Sequence, residues 1–124
     1  MLDQLPPHHY HTVLVWYLVQ HSLSSFQKIL QHFSSCQQAT QPTRFSEWQQ
    51  LGLHANHLKR LDEFQTPQGQ QKFEQLLELV RQHSDFILTP EDLGYPTQLL
   101  PYSDKPPILF GQGQAQVLLQ PQIA

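Results

Sequence analysis

Asp85-Phe-Ile-Leu-Thr-Pro-Glu-Asp-Leu-Gly-Tyr-Pro-Thr-Gln-Leu-Leu100, taken up again at Lys105-Pro-Pro-Ile-Leu-Phe-Gly-Gln-Gly113, is the stretch that decides how this chain is read. It runs as a short apolar strand, a Tyr-Pro corner, one helical turn, a Pro-Pro corner and a second apolar strand that stops on glycines. Proline recurs at Pro90, Pro96, Pro101, Pro106, Pro107 and Pro121. Because proline removes a backbone donor and fixes φ, long helices and central strands are both excluded over most of this region. Brief strands remain, at residues 86–88, at 108–110 and from Gln122 onward. Three such pieces offer too few partners and too little covered apolar area for an independent sheet, so the segment reads as the opening of a larger one.

Upstream the period changes. After Pro6-Pro7, the residues Tyr10, Val13, Leu14, Tyr17 and Leu18 fall on one helical face, and Val15, Trp16 and Val19 make the other side apolar too. This predicts a central helix. Ser22, Ser24 or Ser25 is placed to cap a second helix carrying Phe26, Ile29, Leu30 and Phe33, which gives way to a polar stretch from Ser34 to Thr43. Phe45, Trp48 and Leu51 indicate a short third helix, closed by Gly52 where a left-handed backbone is easiest. Leu53, His57 or Leu58, Leu61 and Phe64 mark a fourth. Thr66-Pro67, a capping hydroxyl followed by proline at the first helical position, starts a fifth with Phe73, Leu76, Leu77 and Val80 inward. The reading is mainly α: a small helical bundle over 1–64, a bridging helix over 65–84, and lead-in strands over 85–124.

Composition narrows the function. The 124 residues carry 7 Lys and Arg against 10 Asp and Glu, a formal charge of −3. No chain-wide electrostatic footprint for nucleic acid exists, so any DNA contact must be local. Eight histidines hold charge in reserve that appears as pH falls toward about 6. Cys36 is the single cysteine and excludes an internal disulfide, as expected of a reducing compartment. The apolar run Val13 to Val19 spans seven residues, far below the roughly 20 that cross a bilayer. No secretory leader pattern opens the chain. The expected location is the cytoplasm, with no membrane partner.

The segment from residue 86 onward resembles the lead-in to the Rossmann-like core of the DNA-processing protein A (DprA) family, single-strand DNA binders of natural transformation. Weaker matches extend it over nearly the whole chain: Trp16-Tyr17-Leu18, then Ile29-Leu30-Gln31-His32-Phe33-Ser34-Ser35 in place of the family's Leu-Leu-x-x-Phe-Gly-Ser, and Leu51-Gly52-Leu53. The resemblance implies a helical front domain of the sterile-alpha-motif or helix-hairpin-helix kind and then the incomplete start of a Rossmann-like α/β domain. It implies a non-enzymatic recombination mediator that binds incoming single-stranded DNA and loads RecA, with the main DNA site downstream of this chain. The helical domain would be scaffold, and a docking surface for a regulatory protein. Two departures bear on DNA contact. Family members often carry glycine between helices one and two, where this chain has His21-Ser22-Leu23-Ser24-Ser25, and Ser34 stands where glycine is usual.

Residue chemistry yields few sites. Lys28, Lys59 and Arg60 form the one basic grouping able to meet a phosphate, provided helices two and four lie side by side. Tyr95 has the ring to stack on a base, or to plug the corner it occupies. Asp85, Glu91 and Asp92 form an acidic cluster that resembles paired catalytic carboxylates, but no nucleophile is near in sequence, and turn and cap duties account for them. His8-His9-Tyr10-His11, and His54 with His57, have metal-like spacing but lack a third ligand nearby in sequence. Gly111-Gln112-Gly113 begins like a dinucleotide loop but lacks its third glycine, and reads as a strand-ending turn. No catalytic, cofactor or metal residue is therefore assigned. The alternative to a binding protein is a Rossmann-like nucleotide-processing enzyme, since that architecture also hosts hydrolases.

Overall fold

A computed structural model of the protein describes residues 5–111. The chain is mainly helical: α1 (Pro7–Leu18), α2 (Leu23–Phe33), α3 (Cys36–Ala39), a 3-10 helix (Pro42–Gln50), α4 (Ala55–Phe64) and α5 (Pro67–His83) precede strand β1 (Phe86–Leu88), a 3-10 turn (Thr97–Leu99) and strand β2 (Leu109–Gly111). The expected strand from Gln122 on, and Gly113, lie outside the described residues.

Local signals account for the helix ends. The Ser22 hydroxyl accepts from Ser25 N–H, and the Thr66 hydroxyl accepts from Gly69 N–H at 3.0 Å, each filling one of the unpaired donors of a first turn. Gly52 ends the 3-10 segment at φ +70°. Two local features escape the periodicity. The polar stretch after Phe33 contains α3, one turn capped by the Ser35 hydroxyl, and the third helix is 3-10 throughout.

α1 is central, as its two apolar faces require: Val15, Leu18 and Val19 are fully buried. Ile29, Phe33, Phe45, Trp48, Leu61 and Phe73 close around it. Trp48, with no exposed surface, donates its indole N–H to Ala39 O at 2.9 Å, so the ring is buried with its polar atom satisfied. Helix α5 does more than bridge, since Phe73 and Leu77 belong to this same core. Gly69 lets α5 start hard against α4, because a Cβ there would collide with the Glu63 carbonyl.

The tail then folds back over the bundle. β1 and β2 pair antiparallel, Phe86 opposite Gly111 and Leu88 opposite Leu109, in a two-stranded sheet. The strands are thus not left without partners, as the sequence reading expects. They pair with each other, and Ile87 and Ile108 join the helical core, which supplies the apolar cover that two short strands lack.

Candidate functional site

The α1–α2 turn and the turn leading into α4 lie side by side and frame an open polar cleft of about 570 Å³, lined by Ser22, Ser24, Lys28, Gly52, His54 and Asn56 among others. Two helix N-termini face it, those of α2 and α4, each capped by a side chain: Ser22 for α2, and His54 Nδ1 accepting from Asn56 N–H for α4. Lys28 crosses the cleft and donates to Gly52 O at 3.2 Å.

The three basic candidates do not converge. Lys28 lines the cleft, whereas Arg60 turns to α1, donating to Tyr17 O at 3.1 Å with its guanidinium 4.6 Å from the centre of the Tyr17 ring. Lys59 is exposed on α4 and is not among the cleft residues. One lysine beside two side-chain-capped helix starts makes a weak phosphate site, since each neutralised phosphate is one increment of affinity.

His57 lies at the back of the same cleft, 7 % exposed, with a buried Nδ1 that has no hydrogen-bond partner among the described residues. Burial, reinforced by His54 and Arg60, pushes its pKa down, so the ring stays neutral.

The glycine departures have a backbone meaning. Gln20 (φ +53°), His21 (φ +61°) and Ser34 (φ +71°) all occupy the left-handed region, and they are the non-glycine residues of positive φ among those described. Left-handed geometry costs an L-residue roughly 1–2 kcal/mol. The α1–α2 turn and the end of α2 thus keep a glycine-type backbone without glycine.

In the tail, Tyr95 is 1 % exposed and its hydroxyl donates to Pro106 O at 2.7 Å. It plugs the corner and bridges the two proline turns, so it presents no face to a base. Asp92 closes its own turn: Thr89 N–H donates to Oδ2 at 2.7 Å, Thr89 Oγ1 at 3.1 Å, and Asp92 N–H returns to Thr89 O. The sequence reading missed what else reaches this carboxylate. His8 Nε2 lies 2.9 Å from Oδ1 and His9 Nε2 2.7 Å from Oδ2, from the first turn of α1. Burial pushes the Asp92 carboxyl up, but the bonds from Thr89, His9 and His8 outweigh it and hold the pKa at about 2. An ionised carboxylate only accepts, so both Nε2 atoms carry the proton. The tail is pinned a second time by Gln27 Nε2, which donates to Ser103 O at 2.7 Å.

Beneath the tail is a mostly apolar cavity of about 190 Å³ bounded by Thr12, Phe26, Leu30, Cys36, Pro90 and Pro107 among others. Burial pushes the Cys36 thiol up to about 12, which makes it a packing residue and a poor nucleophile.

Compared with protein-family models, with curated proteins and with solved structures, the chain has no match in any of the three. Among the described residues, no helix is long and apolar enough to cross a membrane.

Proposed function

We propose that this chain is the N-terminal part of a DNA-processing protein of the DprA kind, a non-enzymatic mediator that binds incoming single-stranded DNA and loads RecA. In this reading the chain itself is scaffold and docking domain, and the principal DNA groove belongs to a following Rossmann-like domain.

The observation that carries the reading is the tail. Strand, Tyr95-Pro96 corner, single 3-10 turn, Pro106-Pro107 and second strand succeed one another in the order on which the resemblance rests. The folded tail leaves Leu93, Leu100, Tyr102 and Phe110 exposed, apolar surface of the kind that the rest of a sheet covers. The left-handed backbone at Gln20, His21 and Ser34 adds support, since the family's glycines stand in the same turns. The dispersal of Lys28, Lys59 and Arg60 favours scaffold over direct DNA reader.

The test is a comparison of affinities for a labelled oligothymidylate, measured by fluorescence anisotropy at several salt concentrations. The 124-residue chain binds weakly or not at all, and a product of the same reading frame extended by about one domain binds tightly with a steep salt slope. Equal affinity for the two would sink this division of roles.

A further inference from the structure

We propose that His8, His9 and Asp92 form a binding site for a late first-row divalent cation, Zn²⁺ in particular, that staples the start of α1 to the tail. The two histidines and the carboxylate are 83 and 84 residues apart in sequence, yet a ring nitrogen of His8, a ring nitrogen of His9 and a carboxylate oxygen of Asp92 all lie within 4.8 Å of one another.

The carboxylate does not depend on the histidines for its orientation. Thr89 N–H and Oγ1 both donate to Oδ2, and Asp92 N–H to Thr89 O, so the turn alone aims the group. This is the arrangement that outer-sphere hydrogen bonds give a metal-bound carboxylate. Oδ2 is thereby well supplied with donors, while among the described residues Oδ1 meets His8 alone, leaving it as the oxygen for a cation. On the other wall, Pro6 caps α1 and Pro7 occupies its first turn. Proline fixes φ there, so the backbone presenting the two imidazoles is stiff before any ion arrives.

The distances are those of a site one small step from closure. Four ligands about 2.0–2.1 Å from a tetrahedral ion stand about 3.3 Å from each other. The two imidazole-to-carboxylate separations are now 2.9 and 2.7 Å. Replacing the proton between His8 and Oδ1 by an ion asks that pair to open by about half an ångström, which the 43 % exposed side chain of His8 can supply, while the His9 ring, now bonded to Oδ2, has to turn toward the same ion. The exposed side admits water as fourth ligand. Two imidazoles and one carboxylate suit Zn²⁺, Ni²⁺ or Cu²⁺ and not Mg²⁺ or Ca²⁺. The positive end of the α1 dipole opposes any divalent cation there to a similar degree, so the preference rests on the nitrogen ligands.

Isothermal titration of the full chain with ZnCl₂, and Co²⁺ absorption spectroscopy, test the site. One ion per chain is expected, with a tetrahedral Co²⁺ spectrum and slower amide exchange in residues 86–95. His8→Ala, at a half-exposed position, keeps the fold by circular dichroism and loses affinity at least about tenfold, as does Asp92→Asn. The variant His32→Ala, which removes a histidine paired with Glu47 away from the site, binds as the parent does. Failure to bind Zn²⁺, Co²⁺ or Ni²⁺, or undiminished binding in both His8→Ala and Asp92→Asn, overturns the proposal. So does loss of binding in His32→Ala alone.

Discussion

The helical bundle and the tail are held by different means. In the bundle Val15, Leu18, Val19, Ile29, Trp48 and Phe73 are wholly enclosed, and their contribution is volume: many apolar contacts, none decisive in its direction. In the tail the fully enclosed side chains are Tyr95 and Thr89, and what fixes the fold is a handful of directed bonds, from Tyr95 to Pro106, from Thr89 to Asp92, from His8 and His9 to Asp92, and from Gln27 to Ser103. Apolar volume tolerates conservative substitution, whereas a directed bond is lost with one atom. The bundle should therefore resist local change and fail globally, and the tail should loosen locally.

The strongest way to break that contrast is Trp48→Ala. It empties the centre of the bundle and strands Ala39 O, with an expected loss of about 3–5 kcal/mol, read as a fall in the denaturant midpoint for helix and tail together. A tail that persists after the bundle has melted would make the two regions independent. Tyr95→Phe comes next. It removes a single hydroxyl and leaves Pro106 O without its donor, at a cost of about 1–2 kcal/mol. Hydrogen exchange should accelerate between residues 86 and 111 and stay unchanged in α2. Equal acceleration in α2 would show one cooperative unit.

Ser34→Gly sharpens the comparison from the other side, since it relieves a left-handed serine at the end of α2 without touching the tail. A gain of about 0.5–1 kcal/mol is expected, visible in thermal unfolding. An unchanged midpoint would mean that the Ser34 backbone is not strained. The smallest effect is at His57. Its folded pKa lies below the unfolded value of about 6.5, so the unfolded chain takes up the proton first. The stability that neutral His57 allows is complete above about pH 6.5 and declines as pH falls through that value toward the folded pKa. His57→Leu should flatten stability between pH 7.5 and pH 5 relative to the parent, by at most about 1 kcal/mol. A steeper profile in the variant would reverse the assignment.

Most of the bundle was legible in residue order because its signals are short. Helix caps act over three residues and apolar periodicity over four, so the serines 22, 24 and 25, Thr66 and Gly52 marked their boundaries without knowledge of any neighbour, and the structure chose Ser22 among the three. Tyr95 as a corner plug was legible for the same reason, proline having set the chain direction on both sides of it. The 3-10 form of 42–50 was not, because 3-10 and α helices share much of their apolar pattern. Nor was the scatter of the basic residues: Lys59 and Arg60 are neighbours in sequence, but one faces solvent and the other lies on Tyr17.

Residue order by itself determined a mainly helical chain with a proline-cornered tail, since propensity, capping and the missing donor of proline are properties of a residue and its nearest few neighbours. Only the tertiary structure decided that β1 and β2 pair with each other over the bundle, and that His8 and His9 meet Asp92. Those contacts exist because the tail folds back on α1, and the balance of burial and directed bonds that brings it there is spread over residues more than eighty positions apart.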